Sequence, residues 1–484
     1  MAWIIISIYI LSLLFIFMFS LGQLHLTWVY LRTKKLRKTP VKLSHFPTIT
    51  VQLPIFNEKY VAERLIDCIA QLEYPHDKLE IQVLDDSTDE TIEIISRKIK
   101  CYLDQGIDIH HIRRNDRRGF KAGALAYGNK IAKGEFMAIF DADFIPEKDF
   151  LLNTVSYFDN PEVGCVQTRW GHINKDYSML TKLQAFGLDA HFTVEQSGRN
   201  LSRSFMNFNG TAGVWRKTCI EEAGGWSAET LTEDLDLSYR AQLKGWKFKY
   251  AEDVVAPAEL PVIMSAIKSQ QYRWNKGAAQ TAKKNLLNVL KSPYNFRTKV
   301  HAFFHLLNSS VFLSLIIAAV MSIPLLMLKS EHIAFETLFS IGRVFLIGFF
   351  SISIFYFVGT KAVGTKDPIR YFLKNYPLFL FYSMGLSLHN AIAVAEGLFG
   401  KKSPFIRTPK FNIKNRTDKW NKNQYVQSKL TWPTALEGLL AVYFIGGVVI
   451  GLMAGDFILI IFHTMLALGF GIIFFHSLVA MKHA

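Results

Sequence analysis

The stretch "EFMAIFDADF", residues 135–144, joins a short apolar run to two carboxylates. An apolar run of this length between polar residues is typical of a buried strand. Asp141 and Asp143 follow the run, so two anionic side chains are expected at the carboxyl end of the strand. Two carboxylates this close repel each other unless a cation lies between them, and hard divalent ions prefer oxygen ligands. We therefore predict that Asp141 and Asp143 bind Mg²⁺ or Mn²⁺.

Further strand-like runs occur on the amino-terminal side of this stretch. They read "TITVQLPIF" (48–56), "LEIQVLDDS" (79–87) and "DIHHI" (108–112), and they alternate with helix-like runs at 59–72 and 89–103. Such alternation is typical of an α/β fold, with a largely parallel sheet and helices on both faces. Ligands of these sheets bind beyond the carboxyl ends of the strands.

Other polar residues fall at the same predicted edge. Glu58 follows the first strand with Asn57, Asp85 and Asp86 end the second, and Lys121 lies among small residues in "RRGFKAGAL". Taken singly, the carboxylates are also typical of helix caps and turns, and the lysine could be an ordinary solvated one. Beside metal-binding carboxylates, however, a lysine can reach a diphosphate.

A third acidic cluster lies in "LTEDLDLSYR", residues 231–240. Glu233 and Asp234 are adjacent, and Asp234 falls in the first turn of a predicted helix. Because Thr232 precedes them, a capping box is one interpretation. The other is a general base, which is a carboxylate placed to remove a proton from an attacking hydroxyl.

The run "QQYRW", residues 270–274, lies in a stretch rich in strong helix formers. Gln270, Arg273 and Trp274 are spaced to share one face of a helix, and Gly277 leaves room one turn further on. A Trp and an Arg can stack at a surface for packing alone. They also offer an aromatic plate and a permanent cation to a ligand.

Long apolar intervals indicate a membrane protein. No Lys, Arg, Asp or Glu occurs in residues 1–31, 302–328, 344–360, 375–395, 438–455 or 457–481. A helix needs about 20 apolar residues to cross a bilayer, and most of these intervals are long enough. We predict an anchor at 1–31, two spans within 301–361 and two within 433–484, with the α/β domain inserted after the anchor.

The basic residues predict the orientation. The run "RTKKLRKTPVK" follows the first interval, and Lys401 and Lys402 follow the fourth apolar interval, so both are expected in the cytoplasm. If residues 375–395 crossed the bilayer, the basic stretch 400–423 would lie outside. We therefore predict an interfacial or re-entrant helix at 372–398, within a cytoplasmic segment 372–432.

The net charge of +15 comes from 55 basic and 40 acidic residues. The basic residues cluster beside membrane segments and no nucleic-acid module is recognised, so lipid headgroups and a phosphate-bearing substrate are predicted partners and nucleic acid is not. The four cysteines lack metal-type spacing. They lie in a region predicted to be cytosolic, so free thiols are expected.

The order "PIFNE", "VLDDSTDE", "KAGAL", "FDADF", "TED", "QQYRW" resembles the inverting, nucleotide-sugar-dependent glycosyltransferases of family 2, of the processive cellulose synthase type. It is especially similar to the cellulose synthase-like enzymes that make β-mannan or glucomannan. The resemblance implies a GT-A domain at 45–260 and interfacial helices at 261–300. In "FIRTPK", Phe405, Thr408 and Lys410 match the "FxVTxK" gating loop of bacterial cellulose synthase, whereas Arg407 stands where that family has Val.

The resemblance also implies a role for each candidate residue. Nucleotide-sugar binding falls to Glu58, Asp85, Asp86, Lys121, Asp141 and Arg273, metal binding to Asp141 and Asp143, base catalysis to Asp234 beside Glu233, acceptor binding to Gln270 and Trp274, and gating to Phe405, Thr408 and Lys410. The implied donor is GDP-mannose or UDP-glucose, and the implied acceptor is a growing β-linked polysaccharide.

Two other functions stay open at this stage. One is the addition of a single sugar to a lipid acceptor, such as a ceramide or polyprenyl phosphate. The other is a non-catalytic transporter or scaffold, although ionisable groups inside the spans and internal repeats, which are typical of transporters, are not found. The expected location is a bacterial inner membrane or, in a plant, the Golgi, with the catalytic domain in the cytoplasm.

Overall fold

The computed structural model describes residues 2–33, 45–329, 343–403, 405–420, 425 and 431–482. Most of the basic run "RTKKLRKTPVK" lies outside these residues, so its predicted cytoplasmic position stays a prediction. All four cysteines are described, and all four have free thiols, as predicted.

A seven-stranded sheet forms the centre of the amino-terminal half. Its strands are β1 (Ile49–Ile55), β2 (Leu79–Asp85), β3 (Ile109–Arg113), β4 (Phe136–Ile139), β5 (Val163–His172), β6 (Gly213–Arg216) and β7 (Lys247–Ala258). The spatial order is β3-β2-β1-β4-β6-β5-β7. Only β6 runs antiparallel to its neighbours β4 and β5. The largely parallel α/β sheet is therefore confirmed, although the sequence runs indicated only its first four strands.

Helices surround the sheet and continue beyond it. They are α1 (Ala2–Thr33), α2 (Ala62–Ala70), α3 (Thr91–Leu103), α4 (Phe120–Ile131), α5 (Phe150–Val155), α6 (Met179–Ala190), α7 (Gln196–Leu201), α8 (Lys217–Glu222), α9 (Glu233–Leu243), α10 (Met264–Lys291), α11 (Phe296–Leu306), α12 (Ser310–Lys329), α13 (Leu346–Ala362), α14 (Pro368–Gly385), α15 (Ser387–Leu398), α16 (Trp432–Ala454) and α17 (Phe457–Lys482). A π-helical turn, His191–Glu195, joins α6 to α7.

The central strands end together at one edge of the sheet. Strands β1, β2 and β4 are parallel neighbours, and Ile55 at the end of β1 pairs with Asp85 at the end of β2. Their apolar side chains are buried, as Val51 and Val83 illustrate. Burial fixes these strands, so the polar residues that follow them are held at one edge.

Helix α10, which carries "QQYRW", packs against the start of α9. A Cβ built on Gly277 would lie 2.5 Å from Cγ2 of Thr232 and 2.8 Å from its backbone nitrogen. Real Cβ atoms do not approach other atoms this closely, so only glycine fits here. The predicted small residue at 277 therefore lets α10 approach the first turn of α9.

Four of the described helices, α1, α12, α16 and α17, are long and apolar enough to cross a bilayer. Helices α14 and α15 are bent by 46° at their junction, as in a broken span or a re-entrant loop. Helix α13 is apolar but has only 17 residues. These helices fit a membrane protein, and the predicted interfacial position of residues 372–398 stays a prediction.

Candidate active site

A cleft of about 630 Å³, open to solvent, lies over the carboxyl ends of β1, β2 and β4. Its charged lining consists of the acids Glu58, Asp86 and Asp141 and the bases Arg117, Lys121, Arg273, Arg407 and Lys410. The excess of cations suits an anionic ligand, and guanidinium and ammonium groups are the usual partners of phosphate oxygens.

Lys121 and Asp141 form an ion pair in the cleft. The Lys121 Nζ donates to Asp141 Oδ1 at 2.5 Å and to the Gly210 carbonyl oxygen at 2.9 Å. Burial by itself would lower the pKa of Lys121, but the charges of Asp141 and Glu233 outweigh burial and raise it. Lys121 is therefore a fixed cation beside the predicted metal ligand.

Asp143 has the contacts expected of a metal-binding carboxylate. It is buried, and its Oδ2 lies 2.7 Å from the Lys410 Nζ. Its Oδ1 is buried with no hydrogen-bond partner in the described part of the chain. An orphaned buried carboxylate oxygen next to Asp141 fits a divalent cation. No group of three or more such ligands occurs among the described residues.

Asp234 lies at the start of α9. Thr232 makes no capping hydrogen bond, so the capping-box interpretation is wrong, and its hydroxyl lies 3.2 Å from that of Thr281 instead. A Cβ built on Gly210 would lie 3.0 Å from Asp234 Oδ2 and 3.6 Å from the Lys121 Nζ, so both side chains face this glycine. Burial, followed by the neighbouring charge of Glu233, raises the pKa of Asp234 to about 7. A carboxylate with this pKa can exchange protons at neutral pH.

Two residues of the "QQYRW" face, Arg273 and Trp274, contact different neighbours. The Arg273 Nη2 donates to Thr408 Oγ1 at 2.8 Å, and the guanidinium lies 5.0 Å from the centre of the Phe405 ring. The ring centre of Trp274 instead lies 6.5 Å from that of Trp170, a residue of β5 that the sequence motifs did not indicate. Gln270 and Trp274 do not line the cleft, whereas Arg273 does.

The two aspartates at the end of β2 have different partners. Asp86 lines the cleft, and both of its carboxylate oxygens accept hydrogen bonds from Arg114. Asp85 is buried away from the cleft, where its Oδ2 lies 2.8 Å from the His111 Nε2 and its Oδ1 accepts from the Ser87 amide. Successive side chains of a strand point to opposite faces. The structure therefore brings Asp86 to the site and leaves Asp85 outside it.

All three predicted gating residues line the cleft. Phe405 stacks on Phe120 at 5.2 Å between ring centres, Thr408 is buried, and Lys410 pairs with Asp143. Arg407, the departure from the gating motif, also lines the cleft.

Several residues of the site were missed by sequence reasoning. The Arg117 guanidinium lies 3.3 Å from the centre of the Phe56 ring, and Arg114 holds Asp86. The basic run "RRNDRR" that follows β3 was a signal for both arginines. Glu259, whose carboxylate accepts from the backbone amides of Phe411 and Asn412, had no signal, since its partners lie far along the chain.

This fold and this cleft define a glycosyltransferase domain. Residues 47–277 match the family described as "Glycosyltransferase like family 2", so the region from β1 into α10 is a domain of that family. The match confirms the resemblance drawn from the six motifs.

Named relatives sharpen the comparison. The chain is 43% identical over 282 residues to "Probable glucomannan 4-beta-mannosyltransferase 4" of Oryza sativa subsp. japonica. The matched region covers 57% of this chain and 51% of that protein. It is 43% identical over 254 residues to "Glucomannan 4-beta-mannosyltransferase 2" of Arabidopsis thaliana, covering 51% and 48%. The match thus spans about half the length of these relatives.

A solved structure has the same fold. It is "Mannosyltransferase PcManGT from Pyrobaculum calidifontis in complex with GDP-Man and Mn2+", with a TM-score of 0.54 over 81% of this chain and 100% of that one. The two chains are 20% identical, so the likeness concerns the GT-A-like fold alone.

Proposed function

We propose that the protein is a membrane-embedded inverting β-glycosyltransferase that transfers a hexose from a nucleotide sugar to a growing polysaccharide. The observation that carries this proposal is the position of Asp234, whose carboxylate faces Gly210 together with the Lys121 ammonium. A proton acceptor thereby lies next to a cation, which in turn is paired with Asp141. Base and diphosphate site are therefore neighbours.

The cleft would hold the donor by its charges. Of the residues that line the cleft, Lys121 and Arg273 would contact the diphosphate, while Glu58 and Asp86 would contact the nucleoside. Asp141 and Asp143 would hold Mg²⁺ or Mn²⁺, which when bound supplies positive charge to the departing diphosphate. The gating residues Phe405, Thr408 and Lys410 would lie over the bound donor and exclude water from it.

Transfer would be a single displacement. Asp234 takes the proton of an acceptor hydroxyl, and that oxygen forms a bond to the anomeric carbon from the face opposite the nucleotide. The bond between the anomeric carbon and the diphosphate breaks, and the diphosphate leaves with the electron pair. Its new charge is stabilised by Lys121 and Arg273, which act most strongly when the charge is fully developed.

The donor we favour is GDP-mannose over UDP-glucose, with a β-1,4-linked mannan or glucomannan as the product. The observation that supports this choice is the name glucomannan 4-β-mannosyltransferase, which relatives at 43% identity carry. Trp274 and Trp170 would support the acceptor, because the C–H faces of sugars pack on aromatic rings.

The experiment uses membrane vesicles that contain the protein, with Mn²⁺ and labelled GDP-mannose or UDP-glucose in parallel. Vesicles with Asp234→Asn serve as the blank. Labelled polymer that β-1,4-mannanase digests is the expected product. A single sugar extracted with lipid would replace the polysaccharide acceptor by a lipid one, and no transfer from either donor would overturn the proposal in favour of a non-catalytic role.

A further inference from the structure

Arg407 makes two hydrogen bonds that join its own loop to the residues that follow β1. Its Nη1 donates to Glu58 Oε1 at 3.0 Å, and its Nη2 donates to the Asn57 carbonyl oxygen at 2.6 Å. Asn57 and Glu58 directly follow β1, whereas Arg407 belongs to residues 405–413, which we call the closing loop. The loop is thus tied to the rigid edge of the sheet.

The partner of Arg407 is a carboxylate in a costly position. Glu58 is only 6% exposed. Burial raises the pKa of Glu58, whereas Arg407, followed by Lys410, acts in the opposite direction. Removing one partner of a buried ion pair leaves the other charge uncompensated, so loop opening at Arg407 carries an electrostatic penalty.

The carboxyl-terminal end of the closing loop is fixed in another way. Glu259 accepts from the Phe411 and Asn412 amides, both at 2.9 Å, and the Arg64 Nη1 donates to Asn412 Oδ1 at 2.5 Å. The amino-terminal end of the closing loop is held by contacts of its own side chains. The loop can therefore swing about residues 411–412 only if the contacts of Phe405, Arg407, Thr408 and Lys410 break.

The cleft lies beside the closing loop, and Arg407 and Lys410 form part of its wall. From these contacts we infer that Arg407 is a latch: by pairing with Glu58 it holds the closing loop shut over a nucleotide-sugar donor and slows donor release. This inference rests on the proposed function. Arg407 is a positioning residue, because it acts through the loop, and Glu58 is its partner rather than solely a contact of the nucleoside.

The test replaces Arg407 by the residue that the gating motif has at this position. In Arg407→Val we expect the donor KM to rise by about 10-fold while kcat stays within about twofold, because a lost pairwise contact of this kind alters binding more than chemistry. Arg416→Val is the matched control, since Arg416 is exposed and its Nε donates to the Asp176 carbonyl oxygen, away from the cleft.

A second readout follows the loop itself. Hydrogen–deuterium exchange of the peptide that spans 405–413 is measured on the full-length protein in detergent with Mn²⁺, with and without GDP or UDP. Nucleotide should slow exchange in the wild type, and Arg407→Val should exchange about 10-fold faster than Arg416→Val under the same conditions. This readout needs no sugar transfer, so it separates failure of the latch from failure of the proposed function.

Glu58→Gln completes a double-mutant cycle. If the two side chains act as one latch, the combined Arg407→Val/Glu58→Gln protein will exchange little faster than either single variant. Additive effects would overturn the pairing. Unchanged exchange and KM in Arg407→Val, a lowered KM, or no slowing by either nucleotide in the wild type would each overturn the latch.

Discussion

The two walls of the cleft differ in both charge and support. The wall at the strand ends carries Glu58, Asp86 and Asp141, on a sheet whose core is buried on both faces. The opposite wall consists of α10 and the closing loop, and it carries Arg273, Arg407 and Lys410. The strand-end side thus carries all three acids of the lining beside Lys121 and Arg117, whereas the charged residues of the opposite wall are all basic.

This difference teaches how a donor can be both enclosed and released. The acidic wall needs cations, and the basic wall supplies them through the pairs Arg407–Glu58 and Lys410–Asp143. Under the proposed function, a divalent ion on Asp143 would compete with Lys410, whose charge would then be available to a diphosphate. In the proposed function the diphosphate would then meet cations from both walls, Lys121 from one and Arg273 and Lys410 from the other.

The largest expected effect concerns Asp234, in the first turn of α9 next to Lys121 of the cleft. Asp234→Asn should lower turnover by about 10³-fold, because the amide cannot accept the proton of the acceptor hydroxyl. Binding of a fluorescent GDP analogue should stay unchanged, since Asp234 is not among the residues that line the cleft. Asp253→Asn, an exposed aspartate, is the control. Near-normal turnover in Asp234→Asn would remove the base assignment.

The next largest effect tests whether Asp143, the second carboxylate of "DAD", binds a metal ion. Asp143→Asn should lower transfer by about 10²-fold and weaken the Mn²⁺ signal that appears in electron paramagnetic resonance when GDP is added. The control is Asp149→Asn, which changes an exposed aspartate six positions away. Equal Mn²⁺ affinity in both variants would contradict a metal-binding role for Asp143.

A smaller effect concerns the contact between α10 and the start of α9. Gly277→Ala should destabilise the protein by about 2 kcal/mol, because its Cβ would overlap Thr232, the residue before Glu233. Thermal unfolding in detergent measures this loss. Gly446→Ala is the control, since a Cβ there meets nothing within 4 Å. Equal melting temperatures would mean that α10 can shift freely.

The smallest effect is a pH dependence. The pKa of Asp234 is raised to about 7, and a base works only when deprotonated, so kcat/KM should fall about tenfold per pH unit below pH 7 and level off above it. Glu233→Gln removes a like charge that helps to raise this pKa, so the midpoint should move to lower pH. A midpoint that does not move would mean that Glu233 does not act on Asp234.

Local sequence was sufficient for the acidic wall. A strand end is encoded by a few adjacent residues, so the positions of Asp86, Asp141 and Asp143 could be predicted from apolar runs followed by carboxylates. Asp234 was also predicted to fall in the first turn of a helix, and α9 begins at Glu233. Asp85 was the exception, because the direction of a side chain at a strand end depends on the pleat and on His111 of the neighbouring strand.

The basic wall depended on the tertiary structure. Arg407 and Glu58 are 349 positions apart, and Glu259 meets Phe411 across 152 positions. No local pattern encodes such pairs, since the cost of bringing distant segments together is met by the packing of the whole chain. The sequence by itself therefore determined the first four strands of the sheet, their acidic edge and the apolar helices, while only the folded chain decided the other three strands and which cations close over that edge.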